Sequence, residues 1–90
     1  MEKQKYKRNS NVVLNSLDDV HILLETETGV LANLNDTALE IWNLCEDPIS
    51  EREILNKMIE IYEIDRETLQ QDLRETLDSL VEMNMLLKEV

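Results

Sequence analysis

The side chains that most often perform chemistry are few in this sequence and lie far apart. It has one cysteine, Cys45, and one histidine, His21, so a zinc site built from nitrogen and sulfur ligands cannot form within one chain. No basic neighbour of Cys45 would activate its thiol, and we expect a small buried side chain there. No partner residue makes His21 a general acid or base.

The carboxylates do not form a site either. Asp18 and Asp19 are adjacent, and Glu25 lies near Glu27, but neither pair has the loop spacing and glycine of hard-cation sites. The only glycine is Gly29, which excludes a glycine-rich phosphate loop. We therefore expect no catalytic residue, no metal and no cofactor, and hence a protein that is not an enzyme.

The length and composition predict one small domain. The chain has 90 residues, of which 42% are hydrophobic, with one Trp, two Tyr and no Phe. Two separate cores in so short a chain would bury too little surface, and the single core must be aliphatic. We expect one domain over residues 1–90 that acts in trans, with residues 1–10 as a basic, flexible arm.

The charge distribution argues against several partners. The net charge is -11, and residues 9–90 carry nineteen acidic and five basic side chains. Binding of nucleic acid depends on Lys and Arg at the phosphates, so nucleic acid is not an expected partner. No apolar run is long enough to span a membrane, and the first ten residues are too polar for a secretory signal. We expect a cytoplasmic protein with no membrane contact.

The first part of the chain has the alternating pattern of strands. Val20, Ile22 and Leu24 alternate with His21, Leu23 and Glu25, which predicts a half-buried strand. His21 lies on the alternate face of this strand, where we expect it to be exposed or hydrogen-bonded to a neighbour. Val30–Leu34 follows the only glycine and completes a hairpin. A third strand is predicted at Val12–Leu14, with residues 15–19 as its turn.

The second part of the chain carries three helix start signals. Asn35, Ser50 and Asp65 are polar N-cap residues, each between two apolar residues that can meet across the first turn. The sequence therefore predicts helices at Asp36–Cys45, Glu51–Tyr62 and Arg66–Met83.

This order of elements predicts the α+β class. An N-terminal three-stranded antiparallel sheet followed by a three-helix bundle, with a short turn between the last two helices, is winged helix-turn-helix-like. Many such proteins read DNA, but the last helix would be repelled by phosphates. Its charged residues are Glu67, Asp72, Glu75, Asp78 and Glu82 against Arg66 and Arg74.

The segment LLETETGVLANLNDTALEIWNLCED, residues 23–47, together with the leucine spacing of the last helix, resembles the PqqD family. The resemblance extends from about Arg8 to Leu87. Two positions depart from the family pattern. Asn84 stands where glycine is common, and residues 46–48 replace a turn that contains glycine; both substitutes suit the local backbone.

The resemblance implies a function as well as the fold. Members of the family are similar to small peptide-binding modules called RiPP recognition elements. These bind the leader of a ribosomally made precursor peptide and present it to a modifying enzyme, such as a radical S-adenosylmethionine enzyme or a leader protease. In the family, the leader adds as a strand beside the one that corresponds to Val30–Leu34 and lies against the third helix.

The residues of this sequence fit such strand addition. The predicted edge strand has no lysine or proline to discourage pairing. Its replacement Ala32→Pro is expected to abolish pairing with a peptide. On the third helix, the leucines are first of all core residues, and one margin of their sector faces the peptide. The predicted peptide-binding residues are Val30, Leu31, Ala32, Asn33, Leu34, Leu69, Asp72, Leu73, Thr76, Leu77 and Leu80.

Four alternatives stay open at the level of sequence. The chain could be a winged-helix transcriptional regulator that acts by protein contact, or as a dimer with its basic arm on DNA. It could be a catalytic accessory subunit of a larger enzyme. Within the peptide-binding interpretation, the arm of residues 1–10 could cover the edge strand, or two copies could exchange strands as a homodimer.

Overall fold

The computed structural model of the protein describes residues 4–89. It confirms the α+β class, with three helices that follow a three-stranded antiparallel sheet, and adds a second, two-stranded sheet. The elements are β1 (Lys5–Arg8), β2 (Val12–Leu17), β3 (Val20–Glu25), β4 (Leu31–Leu34), α1 (Asp36–Leu44), α2 (Glu51–Ile61), α3 (Arg66–Glu82) and β5 (Leu86–Glu89).

The larger sheet has the order β2-β3-β4 and is antiparallel throughout. Leu17 pairs with Val20, so the β2–β3 turn consists of Asp18 and Asp19 alone. Asp18 has a φ of 56°, the left-handed conformation that aspartate tolerates better than most residues. The predicted turn over residues 15–19 was therefore too long, because residues 15–17 continue the strand.

The buried face of β3 is not the face that carries Val20 and Ile22. Leu23 and Glu25 are 0% exposed, whereas Val20 on the other face is 53% exposed. The half-buried strand is confirmed, but the face with Leu23 and Glu25 packs on the core. His21 is half-buried on the core side, and its Nδ1 lies 2.7 Å from the hydroxyl oxygen of Ser16, the predicted hydrogen bond to a neighbour.

All three predicted N-caps are confirmed. The side chain of Asn35 accepts the backbone N–H of Ala38 at 2.8 Å, and that of Asp65 accepts the N–H of Thr68 at 3.2 Å. Ser50 forms a complete capping box with the residue three positions on. These bonds satisfy N–H groups that the first turn of a helix leaves unpaired, which is why the helix starts were predictable.

The first residues of the chain form a strand where a flexible arm was expected. β1 pairs with β5 in an antiparallel ribbon, so the two ends of the described chain hold each other. Tyr6 is 4% exposed, and it exchanges backbone hydrogen bonds of 2.8 and 3.0 Å with Ile49. Residues 5–8 are thus fixed against β5 and do not cover β4. Residues 1–3 of the predicted arm lie outside the described part of the chain.

One hydrophobic core fills the space between the helices and the inner face of the larger sheet. The α3 leucines Leu69, Leu73, Leu77 and Leu80 all belong to it and are at most 2% exposed. Trp42 also belongs to the core, and the Arg8 guanidinium lies 5.1 Å from its ring centre. The buried leucines fix the rotation of α3, and with it the residues that α3 presents on either side.

We expect Leu77→Ala to lower the free energy of unfolding by about 2–5 kcal/mol, because the truncated side chain leaves a cavity in a close-packed core. Urea denaturation followed by circular dichroism measures the loss. The control Gln71→Ala changes an exposed position of the same helix and should stay within about 0.5 kcal/mol of the parent. Equal stability of the two variants would contradict the assignment of Leu77 to the core.

Cys45 should be inert to thiol reagents in the native state. It is 0% exposed, and burial raises its thiol pKa to about 12, although nearby Arg8 opposes the shift. At neutral or mildly alkaline pH the reactive thiolate is therefore scarce. Labelling with Ellman's reagent should be slow in buffer and fast in denaturant. Rapid labelling of the native protein would contradict this burial.

Candidate functional site

The direction of the backbone hydrogen bonds alternates along β3. The N–H of Glu25 donates to the carbonyl of Val30 at 2.9 Å, on the β4 side. The next N–H, that of Thr26, donates to the carbonyl of Asn11 at 2.9 Å, on the β2 side. Because antiparallel ladders keep this alternation, the odd-numbered residues of β3 bond to β4 and the even-numbered ones to β2.

The same alternation decides which groups of β4 are paired. Ala32 and Leu34 lie opposite odd-numbered residues of β3, so their N–H and C=O groups bond to that strand. Those of Leu31 and Asn33 are directed away from β3. β4 is an outer strand of its sheet, and no described strand pairs with it on that side. The edge thus offers four backbone groups to a further strand.

A groove lies between this part of the chain and α3. It has two adjoining parts of ≈320 and ≈310 Å³ that share Glu75 and Thr76. The first part has apolar walls; the second, beside the start of α1, is polar and acidic. Apolar lining comes from Leu34, Ala38, Leu80 and Met83, and polar lining from Asn35, Thr37 and Asp72. An extended peptide on the β4 edge would direct every second side chain into this groove.

The predicted site residues of α3 fall into two sets. Thr76 and Asp72 line the groove, and Leu80 contributes to its apolar part although it is 2% exposed. Leu69, Leu73 and Leu77 line neither part of the groove and are core residues.

The predicted site residues of the edge lie together on or beside β4. Val30 precedes the strand and is partly exposed. Leu31 and Asn33 are exposed, and Asn33 also borders the first part of the groove, whereas Ala32 and Leu34 point to the core.

The structure adds groove residues that the sequence interpretation missed. Glu75, Ser79 and Met83 lie along α3 on the same side as Thr76, one, three and seven residues from it. The signal that could have identified them is their helical spacing from Thr76, which the sequence did predict. The sequence placed the peptide at one margin of the leucine sector without deciding which one; the groove lies at the margin with Thr76.

The loop before β4 is ordered by a buried carboxylate. Glu25 is 0% exposed, and its Oε1 accepts the backbone N–H of Glu27 at 2.8 Å. This bond is the main reason that the pKa of the Glu25 carboxyl is lowered; burial opposes it. The carbonyl of Glu25 also accepts the N–H of Gly29, whose φ of 77° suits glycine. These bonds fix the point at which the edge strand begins.

The outer face of the larger sheet is apolar up to the same edge. Val13, Leu24 and Leu31 form one cross-strand row, and Leu31 is 62% exposed. With neighbouring side chains they line a shallow concavity of ≈340 Å³. The edge strand therefore has an apolar side chain on its outer face and a groove on its inner face.

Within residues 4–89, no three His, Cys, Asp or Glu side chains come close enough together to hold a metal ion. The hydrogen bond of His21 goes to a serine hydroxyl, and Cys45 is buried with a raised pKa. None of the described helices is long and apolar enough to cross a membrane. The β4 edge with its groove is therefore the candidate functional site.

Comparisons with known proteins identify a family and two similar structures. No curated protein matches the chain significantly. The structure of TbiB1 in complex with the TbiA(beta) leader peptide is 32% identical and covers 89% of this chain and 93% of its own, with a TM-score of 0.78. A lasso peptide synthetase B1, complexed with the leader peptide, is 26% identical and covers 91% and 96%, also with a TM-score of 0.78.

The family model described as coenzyme PQQ synthesis protein D matches residues 21–86, from the second half of the β2–β3 hairpin to the first residue of β5. This range contains the edge strand, all three helices and the whole groove. The chain therefore belongs to the PqqD family.

Proposed function

We propose that this chain is a non-catalytic module that binds the leader of a ribosomally made precursor peptide and presents it to a modifying enzyme. The observation that carries the proposal is the outer side of β4, where Leu31 and Asn33 offer four backbone groups directly beside a groove. A leader in extended form would add there as a fourth strand. The two similar structures, both complexes with a leader peptide, support this proposal.

The geometry divides the work between backbone and side chains. Hydrogen bonds to Leu31 and Asn33 would hold any extended peptide, whatever its sequence. Alternate side chains would enter the groove, where the wall changes from apolar at Met83 to acidic at Asp72. We propose that this change along α3 selects the accepted leader. Such a leader would have an apolar side chain for the part near Met83 and a polar or cationic side chain for the part near Asp72, an even number of residues apart.

The magnitude of binding fits a presenter. Four backbone hydrogen bonds contribute about 0.5–1.5 kcal/mol each, and two side chains in the groove about 1.5–3 kcal/mol each. Ordering the peptide opposes them by about 2–5 kcal/mol. The midpoint of the balance is about -5 kcal/mol, between the values for millimolar and micromolar affinity, about -4 and -8 kcal/mol. Such a complex is specific and still releases its peptide.

The other parts of the assignment are also proposals. The enzyme that receives the leader would be a radical S-adenosylmethionine enzyme or a leader protease, and the free, buried Cys45 agrees with a cytoplasmic location. The winged helix-turn-helix likeness and the exchange of strands in a homodimer stay predictions. Nothing supports the transcriptional regulator, since the exposed side of α3 carries mostly acidic residues.

The direct test uses leaders of short precursor-like reading frames encoded beside this chain. Labelled N-terminal segments of these peptides should bind with saturable anisotropy changes at up to millimolar concentrations. A scrambled peptide of the same composition controls for nonspecific attraction. If no segment binds, or if the scrambled peptide binds equally well, leader recognition is wrong.

Proline at position 33 should abolish binding to the edge. Asn33→Pro removes an N–H that points away from β3, so the sheet keeps its ladder while the guest strand loses a donor. Ala32→Pro, the replacement suggested by the sequence, would instead break a bond to β3 and weaken the sheet itself. Peptide anisotropy measures the affinity, and circular dichroism verifies the fold.

The matched control for Asn33→Pro lies on the opposite edge of the same sheet. Ser16 is on β2, and its N–H also points away from β3. Ser16→Pro should leave peptide affinity unchanged if the leader adds to β4. Loss of binding in Ser16→Pro but not in Asn33→Pro would place the guest on β2 and contradict the proposed site.

A bulky residue in the groove should separate side-chain recognition from backbone pairing. Thr76 lies where the two parts of the groove meet, and Thr76→Arg fills that point with a long side chain. We expect affinity for the leader to fall by about tenfold or more, while Gln71→Arg, on an exposed side of α3, has little effect. Equal affinities would mean that the leader does not enter the groove.

A further inference from the structure

A further concave surface lies between α2 and α3, and its charge is opposite to that of the acidic part of the groove. It has a volume of ≈240 Å³, and its lining includes Arg52, Arg66 and Arg74 over the buried side chain of Leu55. The chain has nine basic residues in all, and only five of them follow residue 8. Three of those five therefore meet in one cleft, here called the arginine cleft.

The guanidinium groups of the cleft have unused donors. Arg74 forms an ion pair of 3.0 Å with Glu51, but its side chain is still 62% exposed. Arg52 and Arg66 are exposed, and neither forms an ion pair with any residue in the range 4–89. Each guanidinium has five N–H donors in a planar fork that matches a carboxylate. The cleft can thus accept more than one carboxylate in addition to Glu51.

The overall negative charge of the chain does not prevent this. At physiological salt, charges more than about 8 Å apart are largely screened, so a ligand in the cleft responds mainly to the groups that line it. These are three arginines and one glutamate, with Gln70 as a neutral hydrogen-bonding side chain. The lining is therefore net positive although the chain is acidic, and Asp78 beside Arg74 reduces this charge without cancelling it.

The arginine cleft and the peptide groove lie on opposite flanks of α3. At 100° per residue, Gln70 and Arg74 fall on one side of the buried leucine stripe. Thr76 and Met83, which line the groove, fall on the other side. An occupant of the cleft would therefore not displace a peptide from β4.

We infer that the arginine cleft binds the carboxylate side chains of an acidic segment of a partner polypeptide. Arg66 and Arg74 are eight residues apart on α3, about 12 Å along its axis, which suits several carboxylates along one segment better than a single compact anion such as phosphate. The apolar surface of Leu55 provides a contact for the carbon atoms of such a segment. This inference concerns a site that is separate from the groove and does not require a leader peptide.

The test uses a synthetic hexaglutamate peptide as the probe, with the whole chain labelled with ¹⁵N. Addition of the probe should shift the Nε–Hε signals of Arg52 and Arg66 in a saturable manner. The double variant Arg52→Gln/Arg66→Gln should bind it about tenfold more weakly. The matched control Lys57→Gln/Lys88→Gln removes the same charge elsewhere and should bind it as the parent does.

The other outcomes are equally decisive. Equal weakening in both double variants would mean general electrostatic attraction, and absence of a saturable shift would mean that there is no site; either result overturns the inference. Tighter binding of inorganic phosphate than of hexaglutamate would show a phosphate site instead. The groove variant Thr76→Arg should keep full affinity for hexaglutamate, so failure of the leader proposal and failure of this one are distinguishable.

Discussion

Burial of the leucine stripe of α3 is the constraint on which the functional surfaces depend. With Leu69, Leu73, Leu77 and Leu80 in the core, the rotation of the helix about its axis is fixed. One flank, with Thr76, must then face the β4 edge, and the other, with Arg74, must face α2. A rotation by one residue, about 100°, would bury charged side chains and close the groove, so packing energy also sets the geometry of recognition.

The sequence predicted best what local bonds decide. Each helix start depends on a side chain that accepts an N–H within the same turn, as Asn35 does from Ala38 at 2.8 Å. Such a signal is complete within a few residues and needs no knowledge of the remaining chain. The helix ends moved by one residue only, because Cys45, Tyr62 and Met83 act as C-caps. The edge strand was predictable for a similar reason, since a short apolar run follows the only glycine.

What the sequence could not decide was set by distant contacts. β3 has apolar residues on both faces, so its alternation alone does not say whether Leu23 or Leu24 is inside. The answer comes from packing against the helices, far along the chain. The pairing of β1 with β5 joins the two ends of the described chain and has no local signal. Ser79 and Met83 were missed because the groove exists only where α3 lies beside β4, and the sequence pattern does not show that placement.

The pairing of the two ends has a consequence for the edge of the larger sheet. Backbone N–H and C=O groups need partners, and a basic N-terminal segment without one could have paired with β4. Here residues 5–8 bond to β5, and Tyr6 bonds to Ile49. The groups of Leu31 and Asn33 then have no partner strand among the described residues, and a leader that adds there as proposed would exchange bonds to water for similar bonds. Because little is gained per bond in such an exchange, the affinity of that proposed complex would depend on what the groove adds, and a peptide whose side chains do not fit the groove would be released.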